Sequence, residues 1–112
     1  MRIMVTGAGG PAAISVWKSL HPDHELHMAD MDPCAPGLYL VPSTQRLILP
    51  KGDAPEFCEA VVKACKTRGI NLLVATVDAE LLPLAGSRED LENIGTIVAL
   101  PDTKLLRLAR DK

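Results

Sequence analysis

The sequence predicts an α/β protein, a three-layer Rossmann-like domain with a parallel sheet of four or five strands. Three observations carry that expectation. Ile3–Val5 and Leu72–Ala75 are continuous apolar runs of strand length, as strands covered on both faces of a parallel sheet require. The first run stops at Gly7 and passes through Gly9 and Gly10 to Pro11, which suits the first turn of a helix because its missing N–H leaves no bond unmade. Beyond it, strand-like and helix-like stretches alternate, the pattern of successive parallel βαβ units with helices on both faces of the sheet. The strand Arg2–Thr6 is expected at the centre.

Taken in order, the first helix shows its buried face at Ala13, Val16, Trp17 and Leu20, spaced i, i+3, i+4 and i+7. His21-Pro22-Asp23 breaks it, and Glu25–Asp30 reads as the second strand. The stretch from Asp32 to Asp53 is loop-rich, with Pro33, Pro36, Pro42 and Pro50, and holds a short strand at Arg46–Leu49. Asp53-x-x-Glu56 forms a capping box for a second helix, with Pro55 in its first turn. Phe57, Ala60, Val61, Ala64 and Cys65 mark its buried face, and Gly69 closes it. Asn71–Thr76 is a buried strand. Asp78 caps a short helix, Ala79–Ala85. Ser87-Arg-Glu-Asp90 caps another that runs to Asn93 and ends at Gly95. Thr96–Leu100 is the last strand, and a final helix runs from Lys104 to the end with Leu105, Leu108 and Ala109 inward.

The totals fit one domain spanning residues 1–112. A chain of 112 residues can bury roughly two-thirds of its unfolded surface. Apolar residues make up 47% of it and mean hydropathy is +0.14, so it is a folding sequence. Trp17, Tyr39 and Phe57 are all the aromatics, which leaves Leu, Val, Ile and Ala to build the core. A net charge of −2, no basic run and no aromatic stacking surface argue against nucleic acid as a partner. No apolar stretch reaches the roughly 18 residues of a membrane span, and the opening run is too short for a signal peptide, so a cytoplasmic protein is expected. Cys34, Cys58 and Cys65 lack C-x-x-C spacing. Cys58 and Cys65 stand about 10.5 Å apart along a helix, too far for a disulfide, and read as small buried hydrophobes. His21, His24 and His27 invite a metal reading, but residues three apart on a strand point to opposite faces, so no metal is expected.

Function is to be sought at the glycine turn. Gly7-x-Gly9-x-x-Ala12 approximates a dinucleotide fingerprint, and Thr6-Gly7-x-x-Gly10-x-x-Ala13 the looser spacing of short-chain dehydrogenases and epimerases. The helix after the turn offers free amides and a partial positive charge to an anion. The same glycines would also serve a purely structural turn. Asp30 lies 23 residues after Gly7, near where such folds place a carboxylate on a ribose, though Asp30 and Asp32 also suit ordinary turn roles. If strand order reverses beside the first strand, Gly7–Gly10 and Thr76–Asp78 flank one crevice above the carboxyl edge of the sheet.

With these motifs in place, the whole chain resembles the N-terminal (pre-ATP-grasp) domain of ATP-grasp ligases, close to the carbamoyl-phosphate-synthase-large-subunit-like proteins. The resemblance rests on Met4-Val-Thr-Gly-Ala-Gly-Gly-Pro-Ala-Ala13, Met28-Ala-Asp-Met-Asp-Pro33, Thr76-Val-Asp-Ala-Glu-Leu81 and the closing Arg110-Asp-Lys112. It implies a substrate-side domain of an ATP-dependent carboxylate–amine ligase, not catalytic alone, forming the N-terminal part of a longer enzyme. It further implies that Gly7, Ala8, Gly9, Gly10 and Pro11 form a substrate- or anion-binding turn, with Asp30, Thr76 and Asp78 lining the crevice. ATP and Mg2+ would bind mainly outside this chain. The implied partners are a C-terminal ATP-grasp domain and a small-molecule carboxylate or amine, and a homodimer is compatible with the resemblance.

The alternative is an NAD(P)- or nucleotide-binding Rossmann domain of an oxidoreductase or regulator. The dehydrogenase version needs a Tyr-x-x-x-Lys pair, whereas Tyr39 is followed four residues later by Ser43. No G-x-x-x-x-G-K-[ST] loop exists to hold a triphosphate. Lys18 lies too far along the first helix to reach the turn.

Overall fold

The structure, a computed structural model, describes residues 1–99. Five strands, β1 (Arg2–Val5), β2 (Glu25–Asp30), β3 (Arg46–Ile48), β4 (Leu72–Val74) and β5 (Ile97–Ala99), form one sheet in the order β3-β2-β1-β4-β5. Every pair is parallel, and β1 is central: Ile3 stands opposite Leu26 on one side and Leu72 on the other. Strand order reverses at β1, since β2 and β3 lie to one side and β4 and β5 to the other.

The apolar runs of β1 and β4 are explained by two cores. Ile3 and Val5 join Leu26, Met28, Leu38 and Ala13 of helix α1 (Pro11–Leu20) on one face. Met4 and Leu73 join Phe57, Val61, Leu84 and Leu91 on the other, supplied by α2 (Phe57–Arg68), α3 (Asp78–Gly86) and α4 (Arg88–Asn93). Alternate residues of a strand point to opposite faces, so a strand between two helical layers must be apolar throughout. Phe57 is the largest side chain in this core and is fully buried.

Local signals at the helix starts do not all act as the sequence suggests. The chain from Lys51 to Phe57 forms successive turns (Ala54 N–H to Lys51 O, 2.9 Å; Phe57 N–H to Ala54 O, 3.1 Å), and α2 begins only at Phe57. The Asp53–Glu56 capping box is not made: Glu56 is the residue before the helix and makes no side-chain cap, and Gly52 is held against α3. A Cβ at Gly52 would lie 2.8 Å from Glu80 Cγ and 2.9 Å from the Ala79 carbonyl. Asp78 does not cap α3; it occupies the first turn, behind Val77, and the helix runs through Pro83 to Gly86. Pro83 has no N–H to give the Ala79 carbonyl four residues back, and that carbonyl is the one Gly52 packs against. Ser87 likewise makes no side-chain cap on α4. Gly69 closes α2 as expected, left-handed at φ 65°, with Ile70 N–H on Cys65 O at 3.0 Å. Leu100 and the predicted helix from Lys104 lie outside the described residues.

At the opposite edge of the sheet from the glycine turn, a polar chain ties α2 to the strands. Glu25 accepts from Arg2 Nε at 3.0 Å and His27 Nε2 at 2.8 Å. Arg68, at the end of α2, donates to His27 Nδ1 at 3.0 Å and to the Arg46 carbonyl at 3.0 Å. A guanidinium can only donate, so Nδ1 is the acceptor and Nε2 carries the proton. The His27 hydrogen bond, seconded by the Arg2 charge, holds the Glu25 carboxyl below the usual carboxylate range against the opposing effect of desolvation. Among the described residues, no helix is long and apolar enough to cross a membrane.

Candidate functional site

The carboxyl ends of β1, β2 and β4 meet where strand order reverses. Thr6 continues β1 by giving its N–H to Val74 O at 3.0 Å. Thr76, just beyond β4, donates two bonds to Thr6: its hydroxyl to Thr6 O at 2.7 Å and its N–H to Thr6 Oγ1 at 3.2 Å. The two strand ends are thereby locked together. Gly7 then turns the chain at φ 70°, and any Cβ there would collide with Thr76 Oγ1 and Val77 Cγ2. Only glycine combines that left-handed backbone with so close a neighbour.

Past Gly7 the turn is knitted internally. Ala8 N–H donates to Ala29 O at 3.0 Å, Gly10 N–H to Gly7 O at 2.9 Å, and Gly9 N–H to Asp30 Oδ2 at 2.8 Å. The other Asp30 oxygen accepts the Asp32 N–H at 2.9 Å, so the acid both forms its own turn and binds the glycine loop. The first-turn amides of α1, at Ala12 and Ala13, remain beyond Pro11.

A cavity of about 280 Å³ opens beside this turn. Gly7 and Asp30 form one wall, Lys51 and Asp53 on the segment after β3 a second, and Val77 and Glu80 at the start of α3 a third. Of the residues singled out from sequence, Gly7 and Asp30 line it. Ala8, Gly9, Gly10 and Pro11 lie outside the lining, Thr76 is engaged with Thr6, and Asp78 is exposed on the first turn of α3.

Sequence reasoning missed Glu80. Its side chain is buried, at 7% exposure, and its Oε1 has no hydrogen-bond partner. Burial raises its carboxyl above the ordinary range; the Thr6 hydroxyl opposes that rise and the nearby Asp30 charge adds to it. Glu80 stands four residues before fully buried Leu84 and so shares the inward face of α3. An acid at an apolar register position was the available cue.

The lining carries three carboxylates, on Asp30, Asp53 and Glu80, against the single ammonium of Lys51. That balance repels a triphosphate, and the residues do not fit an ATP site. Among the described residues, no three His, Cys, Asp or Glu side chains converge as a metal ion needs. Cys34 is exposed, whereas burial pushes the Cys65 thiol up to about 11.

No curated protein sequence gives a significant match to the chain. A family model does: the one described as the PylC-like N-terminal domain matches residues 3–99, the same span that forms the sheet and its covering helices. The chain therefore belongs to the PylC-like N-terminal domain family, the pre-ATP-grasp domain of ATP-grasp ligases.

Proposed function

We propose that this domain is the substrate-side domain of an ATP-dependent carboxylate–amine ligase, and that it does not catalyse the reaction alone. The observation that carries this reading is the cavity at the strand-order reversal, the position where open parallel sheets receive ligands. Its walls follow the ends of four strands, β1 to β4, and the Thr6–Thr76 bonds tie the first of these to the last, so it can fix the position of one end of a small molecule. The resemblance at Met4–Ala13 and Thr76–Leu81 supports a place beside the carbamoyl-phosphate-synthase-large-subunit-like members of the superfamily.

The ligase reaction passes through an acyl phosphate made from a carboxylate and ATP, which an amine then attacks. Phosphoryl transfer needs cationic groups and metal around the phosphates. The acid-rich lining is unsuited to that step, which assigns it to the ATP-grasp partner domain together with ATP and Mg2+. What this chain's residues supply is orientation of the second substrate and exclusion of water around it.

ADP release is the direct test. The 112-residue chain alone should release none above background. Combined with an ATP-grasp domain, encoded in the same reading frame or supplied separately, it should support release that needs both a carboxylate and an amine. Turnover by the isolated chain, or release indifferent to its presence, would falsify the reading.

A further inference from the structure

We propose that the cavity binds a protonated nitrogen, an ammonium or alkylammonium group of a small molecule, with Glu80 as its principal anchor. Glu80 is nine-tenths buried, yet Oε1 meets no donor. Glu80 lines the cavity, so a cationic donor that reaches its carboxylate from there would offset the desolvation cost of burying the charge. The arrangement around it is also built. Gly52 lies close enough to Glu80 Cγ that no side chain fits there, so the segment after β3 is packed directly over the stem of the acid.

Charge decides the sign of the ligand. Asp30 raises the cost of ionising Glu80, so the two carboxylates act on one another across the cavity. Both Asp30 oxygens already accept backbone amides, from Gly9 at 2.8 Å and Asp32 at 2.9 Å, which holds that charge in place. An anion entering here would meet Asp30, Asp53 and Glu80, with Lys51 alone in its favour. A cation meets the reverse. A metal ion would demand converging ligands that the described residues lack, whereas an ammonium needs only one or two acceptors along its N–H directions. If the domain serves a ligase, this group belongs to the amine-bearing substrate; that clause alone rests on the function proposed above.

The test is an NMR titration of the 15N-labelled chain with cadaverine hydrochloride, matched in ionic strength by sodium acetate. Cadaverine should shift the amides of Gly7, Gly52, Val77 and Glu80 saturably, and acetate should leave them unmoved. Glu80→Gln, checked for a dispersed spectrum, should weaken cadaverine binding by about tenfold or more, since it removes a charge-assisted bond. Lys51→Glu, a change at an exposed position, should tighten it. The proposal is overturned if acetate moves these amides, if cadaverine does not, or if Glu80→Gln binds as the native chain does. It is equally overturned if Lys51→Glu leaves affinity unchanged. None of these readouts involves ATP. Shifts without ligase-dependent ADP release would remove the ligase reading and keep the amine site; the converse would do the opposite.

Discussion

The Asp30 carboxylate accepts the Gly9 amide at 2.8 Å, so the acid that ends β2 is bonded to the glycine turn that follows β1. The bond joins two neighbouring strand ends through a side chain, beyond the last pairing of β1 with β2, Val5 opposite Met28. It also places a negative charge at the amides that sequence alone offers to an anion.

Asp30→Ala should therefore loosen both the Gly9 and Asp32 turns, at about 1.5–3 kcal/mol of stability by urea denaturation, the range for hydrogen bonds to charged groups. Asp30→Asn, which keeps one acceptor oxygen, should cost less. Equal losses for the two variants would show that the hydrogen bonds are not what Asp30 contributes.

Gly7 and Gly9 should respond very differently to alanine. Gly7→Ala combines a left-handed backbone, costing about 1–2 kcal/mol by itself, with a clash against Thr76 and Val77, and should cost more than that sum's first part. At Gly9 a new Cβ would stand 3.3 Å from Asp30 Oδ2, a far milder contact with no left-handed backbone beside it, so Gly9→Ala should cost less than Gly7→Ala. Thermal unfolding of the two variants side by side measures the difference.

Glu80 should make stability depend on pH in the direction opposite to a salt-bridged acid. Its folded-state carboxyl titrates above its unfolded value, so its favourable contribution is full below the ordinary carboxylate range and is lost as pH rises through the raised folded value. Glu80→Gln should lie nearest the native chain at acid pH and gain on it as pH rises to neutral, because the amide has no charge to desolvate. Denaturation midpoints at several pH values would expose the trend, and a constant difference between the two chains would contradict it.

Thiol chemistry should separate the cysteines. Cys34 is exposed and should react with a disulfide reagent near pH 8 in the native chain. Cys65 is buried, with its thiol pushed up to about 11, and should react only as fast as the domain opens. Labelling followed by mass spectrometry in rising urea should show Cys65 modification tracking global unfolding.

The fold was legible because its signals are local. Ile3–Val5 and Leu72–Ala75 are apolar for the reason the structure gives, two helical layers, and Gly7 and Gly69 turn the chain where they stand. The cavity was half legible. Gly7 and Asp30 belong to a motif that can be read along the chain, but Lys51, Asp53 and Glu80 come together through the packing of Gly52 on α3. Nothing in the neighbourhood of Asp53 announces that contact. Its capping-box spacing instead imitates a helix start, and Asp78 imitates a cap, because these short motifs are satisfied locally only when no distant packing competes.

The position of β1 has a consequence for how the chain is made. The strand at the centre of the sheet is the first one synthesised: Ile3 can meet Leu26 early, but its other neighbour, Leu72, follows 46 residues after Leu26. At roughly 5–20 residues per second, a ribosome leaves that side of β1 without its partner for about 2–9 s. Ile3, Met4 and Val5, all fully buried in the finished domain, cannot gain that cover before then. The covering of that side of β1 therefore waits on the synthesis of β4, which sets the earliest moment at which the central strand can be paired on both sides.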